Sequence, residues 1–207
     1  MTGITMDKYD KLLRNRYLGD ELFGIPKLHI QDLDEKEFVF MGFDHVSNKK
    51  HRDEDKTIHF FLDDSKFERV YLYPEKYIER LAKYRALLTP DFSVYEDMPL
   101  ALQINSVFKN RWCGAYWQEY GLKVIPTISW SDERSLSFCF NGIEKHSIVA
   151  VSTLGSKKVK KKFMYGYDAM LEQIEPSVIL CYDKPFKEMK GNVKFIDYLQ
   201  ATGRCCA

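Results

Sequence analysis

The chain has 207 residues, 45% of them hydrophobic, with 31 basic and 30 acidic side chains and a net charge of +1. That length and apolar content suit one domain with a real core and exclude intrinsic disorder, while no apolar run reaches the about 18 to 20 residues a membrane helix needs. Balanced charge argues against a general nucleic-acid coat protein but allows a local basic patch.

In chain order, MTGITMDKYDKLLRNRY is polar and lacks the apolar core and cleavage site of a signal peptide, so a cytoplasmic location is expected and residues 1–25 read as an N-terminal helical extension. EFVFMGFDHV is a first strand, rich in Phe and β-branched residues. SNKKHRDEDK, residues 47–56, holds no apolar group and reads as a charged insertion loop. TIHFFLDD is the second strand. FERVYLYPEKYIERLAKY is helical, with Pro74 at a helix start, and leads into the strand RALLTPDFS.

MPLALQINSVFKNRWCGAYWQEYG carries Leu100, Ile104, Val107, Phe108, Trp112 and Ala115 at helical spacing, with Gly121 as its stop and Asp97 as its cap. Arg111 on this helix caps or pairs at the surface. LKVIPTISW is a strand, SDERSLSFCFNGI a short helix, HSIVAVSTLG a strand, FMYGYDAMLEQIEP a helix ended before Pro176, and SVILCYD a last strand. Residues 200–207 form a flexible tail. The strands are expected at 37–43, 57–62, 86–91, 123–129, 147–153 and 178–182, adjacent and parallel.

Runs that are apolar on every residue are covered on both faces, and the intervening helices supply the cover. The fold class is therefore α/β: a parallel sheet or incomplete (β/α) barrel-like single domain over 1–207, with right-handed crossovers. Ligands gather at the carboxyl ends of such strands. That rim would hold Asp44, Asp63, Asp64, Asp91, Ser93, Trp130, Ser152, Thr153, Tyr182 and Asp183.

LTPDFSVYEDMPLALQINSVFKNRWCGAYWQEYGLKVIPTISW, followed by FNGIEKHSIVAVSTLGS and IEPSVILCYD, resembles a family of bacterial, plasmid and phage proteins, domain-of-unknown-function family 4417. The resemblance covers residues 24–185, and PDFS, VIPTISW and VSTLG are its most specific pieces. It implies a protein carried by bacteria or their mobile elements and implies no activity.

Asp91, after Pro90, reads either as a helix cap or turn former or as a ligand-facing acid or base. Asp63 and Asp64, just before a helix, read as caps. VSTLGSKKVKKKF brings Ser152, Thr153 and Gly155 into a loop whose hydroxyls and amides suit an anion, with Lys157, Lys158 and Lys160 as phosphate or nucleic-acid contacts beside Lys161 and Lys162. Neither a P-loop nor a GxGxxG fingerprint is present, so no cofactor is named. Asp44, His45, Asp63 and Asp91 are ligand types for a divalent cation but are assigned separate structural duties, and no metal ligand is nominated. Trp130 is a stacking platform or a core lid. The five cysteines lack zinc spacing and read as reduced thiols.

Two functional classes follow. One is a mobile-element protein that binds a phosphorylated small molecule, a nucleic acid or a host protein at the rim, through Ser93, Trp130, Ser152, Thr153, Gly155 and Tyr182. The other is a hydrolase-type α/β enzyme that uses Asp91 with the Ser-Thr-x-Gly loop holding an anion.

Overall fold

Apolar residues alternate in direction along each strand, and different partners take up the two faces. The computed structural model describes residues 8–17, 19, 22–34, 38–46 and 53–197. Helix α1 (Lys8–Leu13) is followed by strands β1 (Val39–Gly42) and β2 (Asp53–His59), then by short helices α2 (Asp64–Phe67), α3 (Arg69–Leu72) and α4 (Ile78–Leu81). Next come β3 (Tyr84–Leu88), α5 (Leu100–Glu119), β4 (Val124–Ile125), β5 (Ile148–Ser152), α6 (Lys160–Ile174), β6 (Val178–Tyr182) and β7 (Val193–Ile196).

All strand pairs are parallel, in the orders β1-β2-β3-β4 and β5-β6-β7. A seam joins the two sheets: Thr127 bridges Ala150, the Ala150 amide donates to Pro126 O at 2.9 Å, and the Ile128 amide donates to Ala150 O at 2.8 Å. Strand order thus follows chain order throughout, as repeated right-handed crossovers produce.

On the outer side, Ile58, Phe60, Leu87 and Val124 pack on Trp112, Tyr116 and Trp117 of α5, and Val149, Val151, Ile179 and Cys181 pack with Phe163, Tyr167, Met170 and Ile174 of α6. On the inner side, Phe40, Leu88, Ile125, Ala150, Leu180 and Ile196 of both sheets form one cluster. Tyr182 lies there with ring centroids 4.7 Å from Phe61, 4.8 Å from His59 and 6.3 Å from Phe40. The sheet therefore curls on its own inner face as an incomplete barrel. Among the described residues, no ladder pairs β7 with β1.

Local chemistry sets the differences from the sequence reading. The helix expected across Pro74 breaks into α3, a 3-10 turn at Pro74–Lys76 and α4, because proline brings no N–H and Tyr73 leaves helical geometry at φ −135°, ψ 58°. β4 keeps two ladder residues, since Pro126 cannot donate. The Thr89 and Thr127 side chains carry the pairing on, with Thr127 N donating to Thr89 Oγ1 and Thr127 Oγ1 to Thr89 O, both at 2.8 Å.

β2 begins at Asp53, so it takes up the last four residues of the charged stretch 47–56, of which 47–52 lie outside the described residues, as do 200–207. SDERSLSFCFNGI holds a 3-10 turn at Glu133–Ser137, capped by Asp132 accepting from the Arg134 amide. Asp97 does not cap α5, whose N-cap is Pro99 with no side-chain bond, whereas Gly121 follows its end in left-handed geometry at φ +76°. β7 is absent from the sequence reading because VKFI is only four residues long and carries a lysine among its apolar residues. No helix among the described residues is long and apolar enough to cross a membrane.

Candidate binding site

The ends of β3 and β4 are tied down from behind by α5. Asn110 donates to Pro90 O at 2.8 Å and to Thr127 O at 3.2 Å. Arg111, expected to cap or pair at the surface, is instead buried at 1% exposure. It donates to Thr127 O at 3.0 Å, Cys139 O at 2.8 Å, Asn141 O at 3.2 Å and the Asn110 side chain. No carboxylate is among these acceptors, and burial lowers its pKa to about 10. One guanidinium therefore fixes α5, the end of β4 and the segment after the 133–137 turn together.

Beyond these anchors Asp91 and Ser129 meet, with the Ser129 hydroxyl donating to the Asp91 carboxylate. No helix starts next to Asp91, so it is not a helix cap. Burial pushes its pKa up to about 6; the Ser129 bond opposes that shift, and the charge of Asp64 adds to it. Asp64 accepts from the Ser93 amide at 3.2 Å and the Ser93 hydroxyl at 2.9 Å.

Asp91, Ser93, Ser129, Trp130, Ser152 and Ser156 line one cavity of about 380 Å³, together with Phe61, Tyr95, Leu154 and Phe163. Its size falls within the about 300–1,000 Å³ usual for small-molecule sites. No lysine, arginine or histidine of the described residues lines it.

Trp130 forms a wall. Its ring lies 5.1 Å from Phe163 and fits against Gly166 of α6, where a Cβ would overlap the indole. Beyond it is a second hollow of about 320 Å³, lined by Leu136, Lys161, Lys162, Tyr165 and Gly166.

Other expected rim residues lie elsewhere. Thr153 does not open onto the cavity: it is 1% exposed, and its hydroxyl donates to Lys184 O at 3.0 Å. Tyr182 is fully buried in the inner stack, because the alternation of β6 turns it inward. In the 152–156 loop two amides expected to face an anion are taken internally: the Leu154 amide donates to Ser152 Oγ at 3.2 Å and the Ser156 amide to Thr153 O at 3.0 Å. Gly155 supplies the left-handed φ of +79° that starts the Ser156–Val159 turn. Lys160 pairs with Glu188 at 2.7 Å, whereas Lys157 and Lys158 are exposed just past Ser156.

Asp63 caps α2 through the Ser65 amide, Asp44 pairs with Lys66 at 3.2 Å, and Asp183 turns the chain at φ +69°. Among the described residues, no three or more His, Cys, Asp or Glu side chains converge as a metal site. Sequence reasoning missed Ser129, Asn110, the role of Arg111 and Gly166. For Ser129 a signal existed, since TISW ends a strand just as PDFS does.

The family model described as a domain of unknown function, DUF4417, matches residues 17–199. The chain belongs to the DUF4417 family. The match spans all seven strands and the rim. Gene 1 protein of Mycobacterium phage L5 is 38% identical to this DUF4417 chain over 183 residues, which is 84% of the chain and 78% of that protein. Gene 1 protein of Mycobacterium phage D29 is 41% identical over 131 residues, which is 62% of the chain and 48% of that protein. These relatives are phage proteins. No solved structure matches the DUF4417 chain.

Proposed function

We propose that this phage-related chain binds a small ring-bearing polar molecule in the rim cavity. The observation that carries the reading is the convergence of Asp91, Ser129, Ser93 and Ser152 with Trp130 on one hollow of about 380 Å³. The indole offers a face for a ring, and the carboxylate and hydroxyls take N–H and O–H donors. Buried, unpaired thiols at Cys113, Cys139 and Cys181 support a cytoplasmic setting.

The chain has three tryptophans, and Trp112 and Trp117 are fully buried, so collisional quenching of fluorescence reads Trp130. A panel of nucleosides, hexoses and aromatic amines is screened by thermal shift and fluorescence. A ring-bearing compound is expected to raise the melting temperature and quench Trp130. Asp91→Asn and Trp130→Leu should both remove the rise in melting temperature while remaining folded. Binding that survives both substitutions would place the ligand elsewhere.

The raised pKa of Asp91 favours a second reading, in which it moves a proton on the bound molecule near neutral pH. Such an enzyme would not use the Thr153 hydroxyl of the Ser-Thr-x-Gly loop to hold an anion, because that hydroxyl is enclosed with Lys184 O. A rate limb near pH 6 that Asp91→Asn abolishes is its mark.

A further inference from the structure

We infer that the ligand of the rim cavity is a nucleotide, with base and sugar inside against Trp130 and Asp91 and the phosphate held outside the mouth by Lys157 and Lys158. The inference rests on the binding reading above and adds the ligand's class and the direction in which it lies.

The cavity interior rejects a phosphate. Its one charged wall residue is the Asp91 carboxylate, and its remaining polar lining is largely serine hydroxyls. An anion drawn in would lose water beside a like charge without gaining a cation. The same walls suit a nucleoside: Trp130, Phe61 and Tyr95 supply ring surface for a base, while Asp91 and the serines accept from ribose hydroxyls or base N–H groups.

The lip differs in charge. Ser156 lines the cavity and is the first residue of the Ser156–Val159 turn, so Lys157 and Lys158 follow directly from the wall. Of the lysines here, Lys160 is neutralised by Glu188 and Lys162 by Glu96. Lys157 and Lys158 are exposed, and no described carboxylate is paired with either. A polar, cation-free hollow whose wall runs on in the chain to two exposed lysines matches a molecule that is neutral at one end and anionic at the other. A free mononucleotide and the terminal nucleotide of a single strand share that chemistry.

The test titrates the full chain with adenosine, guanosine, their 5′-monophosphates, ribose 5-phosphate and a short single-stranded oligonucleotide, by calorimetry and by Trp130 fluorescence, at low and high salt. A monophosphate is expected to bind about tenfold tighter than its nucleoside, with the difference shrinking in high salt. Lys157→Ala combined with Lys158→Ala should erase that difference and leave nucleoside binding unchanged. Asp91→Asn should weaken both.

Equal affinity for nucleoside and monophosphate, with no effect of the lysine substitutions, overturns the inference and leaves the binding reading standing. Failure of every nucleoside and nucleotide, while another ring compound binds at Trp130, also overturns the inference alone; failure of all ring compounds takes the binding reading with it. An oligonucleotide that quenches Trp130 at least as well as the monophosphate identifies a strand end as the source, and a response to the monophosphate alone identifies the free nucleotide. Oligonucleotide binding that leaves Trp130 unchanged and survives Trp130→Leu, with no mononucleotide binding, would reduce the lysines to a surface patch and overturn the inference.

Discussion

Gly166 and Trp130 are fitted to each other: α6 passes so close to the indole that a Cβ at position 166 would overlap Nε1, Cδ1 and Cγ. The wall between the two hollows is therefore held by an absence of side chain on the helix behind it. Gly166→Ala should push the indole toward one of the hollows. Alanine would by itself favour the helix by about 1 kcal/mol, and overpacking costs about 1–3 kcal/mol, so a net loss of up to about 2 kcal/mol is expected. Quenching by acrylamide checks the displacement, because the other two tryptophans are fully buried. A variant that melts higher, with unchanged quenching, would show that the helix and the indole do not meet this closely.

Asp91 should make stability depend on pH in an unusual direction for a carboxylate. Its folded pKa, about 6, lies above its ordinary value of 3.8, so the folded chain holds the proton more tightly. The stability this contributes is fully present below 3.8 and is lost as pH rises through about 6. The shift corresponds to at most about 3 kcal/mol at 1.36 kcal/mol per pH unit, and partial exposure of the group reduces it. Asparagine can still accept from Ser129 and carries no charge. Asp91→Asn should thus flatten stability between pH 4 and 6 and exceed the wild type by about 1–2 kcal/mol at pH 8, measured by urea denaturation. A variant less stable at pH 8 would mean that the carboxylate is held by favourable partners, contrary to its surroundings here.

What was legible in the sequence follows from how local each signal is. Strand runs such as IVAVS and VILCY announce themselves by continuous apolar β-branched composition, and their parallel pairing follows from the helices between them. The seam at Thr127 and Ala150 and the inward curl that buries Tyr182 depend on closure, which no single segment encodes. Asp91 and Trp130 could be placed on the rim because a strand end has a position even when its side-chain direction is unknown. Thr153 and Tyr182 were misassigned for that same reason, since one residue of register reverses the face. Gly166 inside a helical run offers no hint of the indole across from it.

Thr153 and Ser152 provide a contrast between fold and site. The Thr153 hydroxyl is enclosed with Lys184 O, whereas Ser152 is half-buried on the cavity wall. Thr153→Val keeps the shape and removes the donor to a carbonyl, at an expected cost of about 1–3 kcal/mol. Ligand quenching of Trp130 should be unchanged in the folded protein. If Thr153→Val instead abolishes binding at unchanged melting temperature, the hydroxyl reaches the ligand and its enclosure with Lys184 O is wrong.

Arg111 should be the most sensitive position in the site, although it does not line the cavity. Its guanidinium supplies donors to three backbone carbonyls, those of Thr127, Cys139 and Asn141, and to the Asn110 side chain. Arg111→Met fills similar space with no donor, leaving Cys139 O and Asn141 O without this partner; Thr127 O keeps Asn110. Loss of several charge-assisted bonds in a buried setting is expected to cost about 3–5 kcal/mol. Arg111→Lys keeps the charge, but one ammonium cannot span acceptors that a planar fork reaches from several nitrogens, so its loss should be intermediate. Thr127 lies two residues before Ser129, so even folded Arg111→Lys should let the Asp91–Ser129 contact drift. The checks are urea denaturation for stability and Trp130 quenching for the site, at a temperature where each variant is folded. Melting close to wild type in Arg111→Met would show that the carbonyls find water, and the guanidinium would then not be what joins α5 to the strand ends.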